Sequence, residues 1–281
     1  MTVAIVTDSC SDMSPEQLRE YDIVQVPLTV FFGNDGWLSP DEMPPEEFWR
    51  RMTAPDAPFP HTAAPSAGQF KAAFEKRFAA GADEIVYVGM SETLSTSINS
   101  GRMAAEMLPG RTILTVDARS ACMGTGAMAL RASQLAKAGR TAREIVDEIE
   151  RAKKSIDIYV ALETLEYLRK GGRIGSAKAV VGGLLSIKPI IRVIDAEVIV
   201  HEQVRTRSKA TERILELLTE RPVKWLHVLY APPVDHEAFR DAILARLPGP
   251  PPELVTTQII GPVIGAHVGP GAYGGVLIQE P

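Results

Sequence analysis

Short apolar runs alternate with capped, amphipathic segments through roughly the first 150 residues. That alternation restricts the chain to an α/β architecture. Val3-Ala-Ile-Val6, Glu84–Gly89 and Thr112–Val116 are brief apolar stretches of the kind a sheet buries on both faces. Ser66-Ala-Gly-Gln69 and Thr141-Ala-Arg-Glu144 have the form of capping boxes, in which a hydroxyl and a side-chain carbonyl satisfy the first free N–H groups of a helix. The first box leads into Phe70, Phe74 and Phe78, whose four-residue spacing makes one apolar face. Ile98–Leu108 and Thr125–Ala138 supply further helices. Strands separated by helices pair in parallel, so a mostly parallel sheet flanked by helices is expected here.

The second half reads differently. Ile187–Ile194, Val198–Val200, Lys224–Tyr230, Leu254–Ile260 and Val276–Gln279 are strand candidates, with only Ala210–Leu218 and His236–Leu247 as clear helices. Val198 follows Ile194 so closely that a hairpin, and therefore a mixed sheet, is expected. A chain of 281 residues can hold two cores. The expected division is an N-terminal α/β domain, 1–156, and a C-terminal α/β domain with a mixed sheet, 157–281. Val24–Phe32 reads as one β-rich stretch. Pro40, Pro44, Pro45, Pro55, Pro58 and Pro60 make Ser39–Pro65 an irregular excursion with one short helix near Phe48 and Trp49.

Composition removes several function classes. A net charge of −5 gives no general attraction to phosphate backbones or anionic lipid, so neither nucleic acid nor a membrane surface is an expected partner. The most apolar window, Ala179–Ile194, is interrupted by Gly182, Gly183, Lys188, Pro189 and Arg192, and no membrane span is expected. Asp8 follows the first apolar run too soon for a signal peptide. Cys10 and Cys122 read as two reduced thiols of a cytoplasmic protein. His61, His201, His227, His236 and His267 are dispersed, so no metal site is expected. Gly124-Thr-Gly126-Ala-Met-Ala129 fits a dinucleotide fingerprint in letters only, because it starts seven residues past Asp117 rather than at the strand end. Neither a P-loop nor a G-x-S-x-G elbow is present, and no cofactor is expected.

Hydroxyl-rich segments follow the ends of successive strands: Thr7-Asp8-Ser9, Ser91 to Ser97, and Asp117 to Ser120. Singly, each reads as an ordinary cap or turn. Together they mark the carboxyl edge of the sheet, where open α/β folds bind ligands. Ser95 to Ser97 also precede a helix, whose N-terminus favours an anion. Arg169 and Lys170 complement the end of a helix capped by Gly171 or Gly172, but Arg173 lies beyond the cap. Val204 to Lys209 carries Arg205 and Arg207 in an acidic protein. It is either a solvated face or a surface for an acidic partner or a phosphorylated ligand. Gly261–Gly271 reads as a glycine-rich loop bearing His267.

These segments taken together resemble the DegV family of bacterial fatty-acid-binding proteins. The resemblance runs through Ile5-Val-Thr-Asp-Ser9, Ser11-Asp12, Val26-Pro-Leu28, Thr62-Ala-Ala-Pro-Ser66, Leu94-Ser95, Val116-Asp117 and Gly124-x-Gly126. It continues through Leu165-Glu-Tyr-Leu-Arg-Lys-Gly-Gly-Arg-Ile174, Lys188-Pro189, Val204-Arg-Thr-Arg207 and His267-x-Gly-Pro-Gly271. It implies two α/β domains, one acyl chain along a tunnel, and a carboxylate near the domain junction held by Thr62 and Ser95. It also implies that a long-chain fatty acid is carried rather than transformed, since some members hold the acyl group while an ATP-dependent kinase subunit phosphorylates it. Arg173, Arg205 or Arg207, and His267 match positions near that carboxylate or on the partner-facing surface. Ala63 and Ala64 stand where the family has Ser-Gln, and Thr96-Ser97 where it has Gly-Thr. The rival expectation is a stand-alone phosphotransferase or hydrolase using Asp8, Asp117 or His267.

Overall fold

The computed structural model describes residues 2–176 and 187–279. In chain order the first elements are β1 (Val3–Asp8), α1 (Pro15–Glu20), β2 (Ile23–Val26), β3 (Leu28–Phe32), β4 (Asp35–Ser39), α2 (Pro45–Met52) and β5 (Pro60–Ala63). Next come α3 (Ala67–Ala79), β6 (Glu84–Gly89), α4 (Ser97–Glu106), β7 (Thr112–Asp117), α5 (Met123–Lys137), α6 (Ala142–Ala152), β8 (Ile156–Ala161) and α7 (Glu166–Lys170). The remainder is β9 (Lys188–Ile194), β10 (Glu197–Val204), α8 (Arg207–Leu218), β11 (Trp225–Tyr230), α9 (His236–Leu244), β12 (Leu254–Ile259), α10 (Pro262–Val268) and β13 (Tyr273–Ile278). The apolar window from Ala179 lies in part outside the described residues.

The expected α/β class is what forms. β2, β1, β6 and β7 make a parallel sheet in that order. Alternation along β1 sends Ala4 and Val6 toward Phe70 and Phe74 of α3 and Ile98 of α4, and Val3 and Ile5 toward Met128 of α5 and Ile145 of α6. Both predicted capping boxes form, with Gln69 and Glu144 reaching back to the caps. The C-terminal sheet has the order β10-β9-β8-β13-β11-β12 and is mixed, with only β11 and β12 parallel. On β8, Ile158 and Val160 face the main core while Tyr159 and Ala161 face Ile214 and Leu218 of α8. The main core runs from α5 and β1 to β8 and β13 without a break.

Three expectations need correction. Val24–Phe32 is two strands, because Pro27 lacks an N–H and the chain turns there: β2 joins the parallel sheet and β3 a small antiparallel one. The proline-rich Ser39–Pro65 does contain the expected helix, α2, but it also returns as β5, which pairs with β3. Thr62 is therefore on a strand, opposite Val30, and not in a loop. The glycine-rich Gly261–Gly271 segment is helical over its first half, and His267 belongs to α10. Strand β8, which the sequence reading passed over, is central to the mixed sheet.

Candidate functional site

The carboxyl ends of β1, β6 and β7 point at the inner face of the mixed sheet. Between them lies a channel of about 110 Å³ lined by 24 residues. Its lining is mostly aliphatic. Leu28 and Met90 wall it from the N-terminal side; Ile158, Val160 and Ile191 wall it from the mixed sheet. Helix α10 closes another side with Val263, Ile264 and Val268.

Polar groups gather at one end. Thr62, on β5, reaches His267, on α10, with Oγ1 to Nε2 at 3.0 Å. Burial, aided by the nearby Arg173 charge, pulls the His267 imidazolium down to about 4, so the ring is neutral at neutral pH. Its Nδ1 is buried and makes no hydrogen bond. A Cβ at Gly171 would stand 2.2 Å from that Nδ1, so the helix cap read from sequence is also the residue that lets α7 approach the histidine. Arg173 donates from Nε to the Leu94 carbonyl at 3.0 Å and from Nη1 to the Gly171 carbonyl at 2.9 Å. The guanidinium is thereby fixed against the turn that carries Ser95. Ser95 Oγ accepts from the Ser97 N–H at 3.2 Å and shares a proton with Ser97 Oγ at 2.9 Å. Thr96, the N-cap of α4, makes no side-chain cap and is exposed at the channel rim.

The structure thus brings Thr62, Ser95, Arg173 and His267 into one lining. It does not bring Arg205 or Arg207 there. Arg205 is exposed and makes no ion pair among the described residues. Arg207 pairs with Glu163 and lies over the Tyr273 ring at 5.5 Å, which accounts for it structurally. The sequence reading missed Cys10 and Cys122 as wall residues. Both follow the ends of parallel strands, the same signal that marked the hydroxyl segments.

The buried acids have other work. Tyr87 O–H donates to Asp8 Oδ2 at 2.7 Å, and the Cys10 N–H donates to Asp8 Oδ1 at 3.1 Å. Burial raises Asp8 above the usual carboxylate range. Cys122 Sγ–H donates to Asp12 Oδ2 at 2.9 Å, and burial raises Asp12 to about 7. Asp117 accepts from the Arg119 N–H at 2.6 Å and the Glu92 N–H at 3.3 Å. Among the described residues there is no cluster of side chains that could hold a metal ion, and no helix is long and apolar enough to cross a membrane.

A parallel and a mixed sheet meeting around a largely apolar cavity, with hydroxyl, imidazole and guanidinium groups gathered on its lining, define an α/β fold with a candidate ligand site at the carboxyl edge of its parallel sheet. The chain belongs to the DegV family: the family model described as "Uncharacterised protein, DegV family" matches residues 2–280. A DegV domain-containing protein of Deinococcus radiodurans is 33% identical over 279 residues, covering 99% of this chain and 98% of that protein. Among solved structures, a fatty-acid-binding DegV family protein from Thermus thermophilus superposes with a TM-score of 0.90 at 31% identity, each chain covered completely (100%). DegV of Bacillus subtilis, also described as a fatty acid binding protein, gives 0.89 at 28% identity, again with 100% of both chains covered.

Proposed function

We propose that this protein binds a long-chain fatty acid, with the acyl chain in the channel and the carboxylate at the end formed by Thr62 and Ser95. The observation that carries the reading is the channel lining: mostly apolar side chains, with Thr62, Ser95, Arg173 and His267 gathered together on it. Each buried CH₂ stabilises the complex by about 0.8 kcal/mol, so a lining this apolar favours a hydrocarbon chain. A carboxylate leaving water needs donors. With its proton on Nε2, neutral His267 donates to Thr62 Oγ1 and frees the Thr62 O–H for the ligand. The Ser95 hydroxyl and the N-terminus of α4 supply a second donor and a favourable field. Arg173 adds charge without being buried. The matching proteins from Thermus thermophilus and Bacillus subtilis, both described as binding fatty acids, support the assignment.

Because Thr96 and Arg173 are exposed, the carboxylate would sit within reach of a second protein. The reading therefore includes presentation of the bound acid to an ATP-dependent fatty acid kinase, in a cytoplasmic setting that keeps Cys10 and Cys122 reduced, with 1–156 and 157–281 as the two units that close on the ligand. Catalysis by this chain alone has less support, since Asp8 and Asp117 already accept N–H and O–H donors from their own surroundings.

Organic extraction and mass spectrometry of the purified protein test the reading. Fatty acid should be recovered, and its removal should lower Tm, because a ligand bound only by the native state stabilises it by mass action. A lipid-free protein whose Tm ignores added fatty acid, or one that turns over a soluble phosphorylated substrate unaided, would point to the rival function.

A further inference from the structure

A second space adjoins the channel. Strands β8 and β9 pair only at Tyr159–Arg192, Val160–Ile191 and Ala161–Ile190. Beyond Tyr159 they part, β8 staying with β13 and β9 continuing with β10. In the gap lies a second space of about 520 Å³, bounded by Arg119, Ser120, Lys153, Lys154, Asp157 and the β9 end. Arg192 and Val193 line both this chamber and the apolar channel. Between them Gly124 is packed tightly, since an added Cβ would stand 2.0 Å from Ser120 Oγ and 2.9 Å from Ile158 Cδ1. Ser120 belongs to the chamber and Ile158 to the channel.

The chamber is chemically unlike the channel. Its charged lining comprises the cations Arg119, Lys153, Lys154 and Arg192 and the anions Glu150, Asp157 and Asp195, a net of +1 from four positive and three negative groups. Lys153 pairs with Glu150 at 2.7 Å, Arg119 with Asp195 at 3.3 Å, and Arg192 with Asp157. Lys154 is left without an ion-pair partner among the described residues. Ser120, only 3% exposed, has an Oγ that makes no hydrogen bond. The rim is held in place, since Ser91 Oγ and Thr93 Oγ1 both donate to the Ala196 carbonyl in the β9–β10 turn.

We propose that this chamber receives the far end of the bound chain, and that the protein accepts long-chain α,ω-dicarboxylic acids whose second carboxylate is met by Lys154, Arg119 and the Ser120 hydroxyl. The inference rests on the fatty acid reading above and extends it to a second ligand class. A blind apolar tunnel would reject such molecules, because an unpaired carboxylate buried in hydrocarbon is strongly unfavourable. A chain end that reaches the adjoining polar chamber, where Lys154 has no ion-pair partner among the described residues, would not meet that cost.

Calorimetric titration of the delipidated protein decides it, using palmitic acid against hexadecanedioic acid, and the same pairing for the C12, C14 and C18 acids. At one length in the series the diacid should bind at least as tightly as its monoacid. Lys154→Glu, at an exposed position that leaves the core untouched, should weaken that diacid about tenfold and leave the monoacid within about twofold. Monoacid binding with every diacid about a hundredfold weaker would overturn the chamber assignment alone. So would equal effects of Lys154→Glu on both ligands. Binding of neither ligand would overturn the fatty acid reading along with it.

Discussion

Two polar clusters stand at the carboxyl edge of the parallel sheet, and they differ in what their atoms have left to give. Asp8 and Asp12 are buried among Tyr87, Cys10 and Cys122; both Asp8 oxygens and Asp12 Oδ2 take donors from the protein itself, and Asp12 Oδ1, without a partner among the described residues, is sealed from solvent. Thr62, Ser95, Arg173 and His267 are partly or fully exposed, and each keeps hydrogen-bonding capacity unspent. Closed networks stabilise a fold, whereas open ones can bind a ligand. The acids, the more reactive residue types on paper, fall in the closed cluster.

The largest effect should come from opening the closed cluster. Asp8→Ala strands the Tyr87 hydroxyl and the N–H groups of Cys10 and Met90. Each buried group left unpaired costs roughly 1–3 kcal/mol, so urea denaturation should show a loss of several such units. A near-neutral Asp8→Ala variant would erase the distinction between the clusters.

Next in size is the open cluster. Thr62→Val should weaken fatty acid binding by about ten- to a hundred-fold, because a hydrogen bond to a charged acceptor contributes about 1.5–3 kcal/mol. Its denaturation midpoint should move far less than that of Asp8→Ala. Titration and denaturation of the same preparation separate the two.

Which side a residue falls on was only partly legible in the sequence. The sheet was readable because Val3–Val6, Glu84–Gly89 and Thr112–Val116 are apolar runs bounded by caps, which are local signals. The hydroxyls at strand ends marked the edge for the same reason. That Thr62 meets His267 was not legible, because the contact spans 205 residues and depends on β5 folding back on β3. Proline counting hid that strand, and the small residues of Pro262–Val268 hid α10. Nor could residue type alone show that Arg207 is occupied by Glu163 while Arg173 faces the channel.

The pH response sharpens the comparison. Burial raises Asp12 from 3.8 to about 7, so the folded protein keeps a proton that the unfolded chain releases. Its contribution is full below about pH 4 and is lost as pH rises through 7. His267, lowered from 6.5 to about 4, acts oppositely: its contribution is full above 6.5 and is lost as pH falls through 4. Asp12→Asn removes only the first. The stability of Asp12→Asn relative to the parent should rise from pH 4 to 7 and level off above, as denaturation at each pH would show. A flat difference would mean that Asp12 ionises freely in the fold.

The smallest effect should be at Arg205. Its replacement by alanine should change stability by less than about 0.5 kcal/mol, as for a surface site without partners, and leave fatty acid affinity unchanged. A larger loss of affinity would extend the open cluster beyond the channel lining.

The central claim is that one end of the channel recognises a carboxylate, and the most direct test compares ligands that differ only there. Palmitic acid and its methyl ester should be titrated into the delipidated protein and into Ser95→Ala. The acid should bind the parent at least about tenfold more tightly than the ester, and Ser95→Ala should reduce that ratio by weakening the acid alone. Equal affinities for acid and ester, or parallel losses of both in Ser95→Ala, would contradict it.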